Sequence, residues 1–203
     1  MERSMNAQSA LRWILIVWGG ALLVAAGLLI YRQLEGSRGA PTVDASMISA
    51  RGAYGLAEEA ADAWQADAQL VSAAGRAAAS VLQRGDDVEW SFQFFSAAEQ
   101  RLIVFAVSGS EVAQVRETRS PYAMSVLDTE RWRVDSHEAY KAWLEAGGDY
   151  FVTRRPSAEL AMRLHALEDS AQPVWTVAGV TFGQENVFAV TVDARSGTVL
   201  DEG

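Results

Sequence analysis

Cysteine is absent from this chain, lysine occurs once, at Lys141, and histidine twice, at His137 and His165. The first absence excludes disulfides, thiolate metal sites and cysteine nucleophiles. The scarcity of histidine leaves metal clusters and histidine-based triads poorly supplied. Positive charge is carried by arginine and is unevenly placed. Residues 1–40 hold Arg3, Arg12, Arg32 and Arg38 against Glu2 and Glu35, about +2; the remaining 13 basic and 24 acidic residues give about −11, for −9 overall. An acidic stretch of that kind repels phosphates, which argues against a nucleic-acid partner, and it has little reason to lie flat on an anionic bilayer. With 50% hydrophobic residues the chain can still build cores.

One long run is free of ionisable groups apart from a terminal phenol: Trp13 to Tyr31, "WILIVWGGALLVAAGLLIY". Nineteen residues at the helical rise span about 28 Å, close to the roughly 30 Å hydrocarbon core of a bilayer. Trp13 and Tyr31 stand where amphipathic rings favour the headgroup level, and Arg12 and Arg32 bracket the run. A buried core helix is rarely apolar on every face for five turns, and a cleaved signal peptide usually has a shorter apolar region. Residues 1–33 are therefore expected to be a tail and a single transmembrane helix, contacting the lipid bilayer through residues 13–31. Arginines flank it evenly, so the short N-terminal tail and the long acidic remainder set the expected orientation: N-terminus inside, C-terminal domains extracytoplasmic.

Residues 34–49 contain the small, polar "LEGSRGAPTVDAS" and read as a tether. Beyond it the same order of elements is read twice, in residues 50–119 and 136–203, with a connector over 120–135. In the first unit, Ala50 to Ala68 has helix composition, with Leu56, Ala60 and Trp64 on one stripe. "QLVSAAGRAAASVL" is ambiguous between strand and helix. "VEWSFQFFS" alternates, placing Trp90, Phe92 and Phe94 on one face, and "RLIVFAVS" and "EVAQVRET" follow around a turn at Gly109. In the second unit Ser136 is the expected N-cap of "HEAYKAWLEAGG", with Tyr140, Trp143 and Leu144 as its apolar stripe and Gly147 and Gly148 as its end. Ala158 to Leu167 suits either a helix or a half-buried strand, and Pro156 before it and "EDSAQP" after it favour the strand. "PVWTVAGV" and "NVFAVTVD" are further strands, and "ARSG" turns the chain into "TVL". The fold class is thus α+β: two units, each with a helix over an antiparallel sheet.

The second unit, with "PVWTV" and then "VFAVTVDARSGTVL", resembles the PepSY domain, whose strands read W-x-V and then V-x-V-D-x-x-T-G-x-V. Trp175, Val177, Val190, Val192, Asp193, Gly197 and Val199 match, and Ser196 replaces the usual threonine. The first unit keeps Trp90 but carries "SGSE" in place of the Asp-x-x-Thr-Gly turn. The resemblance covers about residues 50–203. It implies a non-enzymatic role at the cell envelope, binding or restraining other proteins, as do propeptide-like regions that inhibit or chaperone proteases. The alternative is an ectodomain that senses a small ligand.

The residues offer little chemistry of their own. Asp193 is expected to cap a turn, with Gly197 supplying a positive φ. Within the last hairpin, Phe188, Val190 and Val192 form the bulkier face and are expected against the helix. Adjacent acids at Glu58/Glu59, Asp86/Asp87 and Asp201/Glu202 do not converge on one point. His137 falls in the first turn of a helix, and His165 is expected to point outward from its strand. Ser108 and Ser110 lack a nucleophile-elbow setting. Trp64, Trp90, Trp143 and Trp175 recur at matching positions and are expected in the core, while Trp132 in the connector is a candidate for docking one unit on the other. "TRR" at 153–155 is expected to pair with the acidic first unit, the alternative being an acidic partner. No catalytic, cofactor-binding or metal-binding residue is assigned.

Overall fold

The computed structural model describes residues 49–78, 88–167, 170–181 and 187–202. The expected transmembrane helix and residues 34–48 of the tether lie outside them, as do Asp86 and Asp87; among the described residues no helix is long and apolar enough to cross a membrane.

Helix α1, Ala50–Trp64, starts where Ser49 accepts a hydrogen bond from the Gly52 amide at 2.9 Å. Its buried face is a run of alanines, Ala50, Ala53, Ala57 and Ala61. The expected stripe of Leu56, Ala60 and Trp64 is instead a half-buried flank, because alanines let the helix axis lie close to the sheet and larger side chains are left at its margin. The helix also stops earlier than composition suggests. Gln65 is extended, and Asp67 pins the turn by accepting from the Ser96 hydroxyl at 2.7 Å and the Ala98 amide at 2.9 Å.

Four strands follow: β1 Ala68–Ala78, β2 Glu89–Ser96, β3 Arg101–Ser108 and β4 Glu111–Arg119. The ambiguous segment is therefore a strand. Gly75 shows why it suits one: a β-carbon there would sit 2.8 Å from the Trp90 ring, which lies against the bare backbone. After the connector come α2, Ser136–Trp143, a π turn over Leu144–Gly148 and a short helix α3, Asp149–Arg154. The second set of strands is β5 Glu159–Ala166, β6 Pro173–Val180, β7 Val187–Asp193 and β8 Val199–Glu202. Ala158–Leu167 is thus largely strand, as expected. Gly147 interrupts the helical run with φ of +121°, but the chain turns helical again at once, so the glycine pair kinks the segment instead of ending it.

The largest departure from expectation is in the sheet. Strand order is β4-β3-β2-β1-β5-β6-β7-β8, so the two meanders form one eight-stranded antiparallel sheet instead of a sheet in each unit. The seam is β1 with β5, from Ser72 opposite His165 to Ala78 opposite Glu159. Both helical segments pack on one face, over a single core in which Trp90, Phe92, Phe94, Leu160, Leu164, Trp143 and Trp175 are almost fully buried. At the centre the Trp90 and Trp175 rings meet edge to face, centroids 5.9 Å apart. On the other face a shift in register beside Val71 gathers it with Phe95 and Leu102, and the connector covers them with Met124 and Val126.

The connector binds both halves together. Leu127 donates its amide to Leu70, and Arg133 and Val134 both donate to the Ala194 carbonyl. Trp132 is 2% exposed, wedged between Tyr54 of α1 and Trp175 of β6 at centroid distances of 5.5 and 6.0 Å, so it does dock one half on the other. Helix α2 is capped by Asp135, not by Ser136. Asp135 accepts from the Ser136 amide at 2.7 Å, and Glu138 accepts from the Asp135 amide at 2.8 Å, a reciprocal capping box. Ser136 is thereby freed to accept from the Ala50 amide at 3.1 Å, while Asp135 also accepts from the Arg51 amide at 3.2 Å. Two helix N-termini share one buried carboxylate and one hydroxyl, which satisfies orphan amides of both.

Candidate functional site

Each residue with chemical potential has a position that can be stated. Asp193 caps its turn. One carboxylate oxygen accepts from the Arg195 and Ser196 amides at 2.7 and 3.1 Å, and the other accepts from the Gln172 side chain at 2.8 Å. Gly197 has φ of +78°, as the turn demands. Val190 and Val192 are buried and Phe188 packs on Trp143 and Phe151, so the bulkier hairpin face does meet the helical layer.

The acids are scattered. Glu58 accepts from the Tyr54 hydroxyl at 2.6 Å; burial, and after it this contact, raises the phenol's pKa, while Glu59 and Asp201 are exposed. Among the described residues no three His, Cys, Asp or Glu side chains are grouped as metal ligands. Ser108 is exposed at the end of β3 and Gly109 makes the turn that follows, with φ of +58°. Trp90, Trp132, Trp143 and Trp175 are core residues; Trp64 is half-buried and donates its indole N–H to Glu117 at 3.0 Å.

His137 is exposed. His165 points away from the helices, as expected, but its ring is half-buried on that sheet face with both nitrogens engaged. Nδ1 lies 2.9 Å from the Ala166 carbonyl, which can only accept, so this nitrogen carries the proton and Nε2, 3.0 Å from the Thr176 hydroxyl oxygen, is the acceptor. Burial holds its pKa below the ordinary imidazole value; the Ala166 bond pulls it up, and the nearby Arg163 charge pushes it down. Arg163 lies on the same face between Ala74 of β1 and Thr176 of β6. Its guanidinium is half-buried, and burial lowers its pKa.

A second feature is not foreseen in the sequence. Gly147, Tyr150, Phe151, Arg155, Val187 and Phe188 line an open groove of about 370 Å³ between α3 and the start of β7. Tyr150 is 64% exposed and Val187 41%, whereas the other large apolar side chains of this region are packed away. Among the described residues the arginines of the "TRR" cluster make no ion pair with the acidic first half. The Arg154 guanidinium stands over the Tyr150 ring at 5.0 Å, and that of Arg155 over Phe151 at 4.7 Å. The signal available in "DYFVTRR" is the four-residue spacing of each ring from its arginine, which places them together once the segment is helical.

The chain matches no protein-family model and no curated protein. Among solved structures it is similar to the crystal structure of a provisionally named lipoprotein from Clostridium difficile 630, with a TM-score of 0.50 and 11% identity over 74% of this chain and 91% of that one. That likeness concerns the fold, an antiparallel sheet with its helices on one side. The PepSY resemblance rests on the motif residues alone.

Proposed function

We propose that this chain is a membrane-anchored, extracytoplasmic PepSY-like protein, non-enzymatic, that binds or regulates other proteins of the envelope, proteases among them. Its two halves are degenerate copies of one helix-and-meander module fused through β1 and β5. The motif supports this reading: Trp175, Val177, Val190 and Val192 serve as core, and Asp193 and Gly197 as turn, which is the structural work the PepSY pattern asks of them. The provisional naming of the structural neighbour as a lipoprotein agrees with an address at a membrane surface. The observation that carries the binding role is the groove beside α3, where exposed Tyr150 and Val187 adjoin an apolar floor of Phe151 and Phe188. A tether of about 16 residues would hold the domain near the bilayer, raising its effective concentration toward other envelope proteins.

The test is photo-crosslinking in intact cells, with a photoreactive residue placed at Tyr150 or at exposed Tyr122 of the full chain. Capture of one defined envelope protein is the expected result. No specific adduct from either position overturns the binding role.

A second reading, a sensor of small anions, is favoured by Arg163. Among the described residues it has no carboxylate and no hydrogen-bond acceptor on its guanidinium, although the side chain is half-buried beside Thr176 and His165. It predicts that a panel of carboxylates and inorganic phosphate raises the melting temperature of the native chain and not of Arg163→Gln. A flat response across the panel removes it.

A further inference from the structure

We infer that the groove between α3 and β7 is a peptide-docking site selective for an apolar side chain followed by a carboxylate. The inference rests on the protein-binding role proposed above and narrows its partner.

The floor is apolar. Gly147 carries no side chain, and a β-carbon there would approach the Phe188 ring to 3.3 Å, so the glycine leaves that ring edge open to an incoming group. Phe151 and Phe188 stack with centroids 6.2 Å apart and form a rigid base, with Tyr150 and Val187 as exposed walls. A volume of about 370 Å³ falls at the low end of clefts that enclose small ligands, roughly 300–1,000 Å³. It takes one large side chain and a short length of backbone, not a folded surface.

The rim is cationic. Arg154 and Arg155 lie over rings of their own helix, and a guanidinium laid on a ring keeps the N–H donors of its edge pointing away from it. Among the described residues neither has a carboxylate partner. Among the described residues, Glu145 lies 3.9 Å from Lys141, and Asp149 adds to the rise that burial causes in the pKa of the Tyr140 phenol. Arg155, which lines the groove, is thus held beside an apolar slot with its hydrogen-bonding edge unspent, and Arg154 stands over the Tyr150 wall, which suits one carboxylate adjacent to one apolar side chain. An anionic bilayer fits less well, because the segment beyond residue 40 carries about −11 and is repelled more by a charged plane than by a single carboxylate.

The full chain in neutral detergent is titrated with two rhodamine-labelled peptide amides, Ala-Leu-Phe-Glu-Glu-Ala and Ala-Leu-Phe-Gln-Gln-Ala, followed by fluorescence anisotropy. The glutamate peptide is expected to bind about tenfold more tightly than the glutamine peptide, a preference that Arg155→Gln abolishes. Val187→Asp is expected to weaken both peptides about tenfold. Near-ultraviolet circular dichroism of the tryptophans verifies that each variant is folded. Equal binding of the two peptides overturns the inference. So does binding confined to phosphatidylglycerol vesicles, or self-association of the chain that Val187→Asp abolishes while the peptides fail to bind. If the peptides fail but cellular crosslinks from position 122 persist, the groove assignment alone falls. If the crosslinks are missing as well, the binding role falls with it.

Discussion

The indole N–H groups of Trp132 and Trp175 converge on one acceptor, the Val134 carbonyl oxygen, at 2.9 and 2.8 Å. One indole belongs to the connector and the other to β6, and their rings meet edge to face at 6.0 Å. A carbonyl has two lone pairs, and here both serve buried donors. The segment between the halves is therefore part of the core, and removing it unmakes more than a link.

Trp132→Ala is expected to cost about 3–5 kcal/mol, as large aromatic truncations in a core do. Trp132→Phe keeps most of the ring contact and gives up one hydrogen bond, for about 0.5–1.5 kcal/mol plus any packing loss. Urea unfolding monitored by tryptophan fluorescence and by circular dichroism measures both. The native chain is expected to show one coincident transition, since no half has a core of its own to unfold separately.

Asp135 and Ser136 serve two helices at once. Asp135→Ala leaves an amide at the start of α1 and the capping box of α2 without their acceptor, and is expected to cost about 2 kcal/mol, the upper end for a lost cap. Ser49→Ala removes a single exposed cap bond and is expected to cost about 1 kcal/mol or less. Equal losses in denaturation experiments would show that the two N-termini are capped independently.

Gly179 lies under the second aromatic cluster, where a β-carbon would come within 2.6 Å of Phe151 and 2.9 Å of Trp143. Gly179→Ala is expected to destabilise by about 1–3 kcal/mol through overpacking, and to disturb the near-ultraviolet signal of Trp143.

His165 has a folded-state pKa below its unfolded value of about 6.5. Between the two values the unfolded chain binds the proton and the folded chain does not, so its contribution to stability is fully present above about pH 6.5 and declines as pH falls toward the folded value. Urea midpoints compared at pH 7.5 and 5.5 should drop in the native chain and drop less in His165→Gln. Asp67 is a separate case. Bonds from the Ala98 amide and the Ser96 hydroxyl hold its carboxyl below the ordinary range, so its contribution is lost only as pH falls below about 4.

Strands are legible in the sequence wherever alternation is strict. Trp90, Phe92 and Phe94 announce one buried face, and Asp193 with Gly197 announces a turn, because these signals are local. The cap of α2 differs from expectation by one residue, since both Asp135 and Ser136 are good caps and the choice depends on what α1 needs. The alanine face of α1 is hidden because hydrophobicity scales weight leucine and tryptophan above alanine, while close approach to a sheet favours the smaller side chain. Helix α3 escapes notice because Gly147 and Gly148 read as a stop, and with it goes the groove. The pairing of β1 with β5 joins residues about ninety positions apart, which no window along the chain can register.

That pairing is the centre of the account, and the absence of native cysteine makes it measurable. In the full chain, Arg76→Cys with Ala161→Cys places thiols on directly opposed residues of β1 and β5, and Ala74→Cys with Ser91→Cys does the same for β1 and β2 as a control. Opposed residues in antiparallel strands have Cα atoms about 4.5–5.5 Å apart, within disulfide reach. Under mild oxidation both pairs are expected to form intramolecular disulfides in the folded protein. A control pair that closes while the pair at positions 76 and 161 stays reduced, or joins only between molecules, would contradict the single sheet.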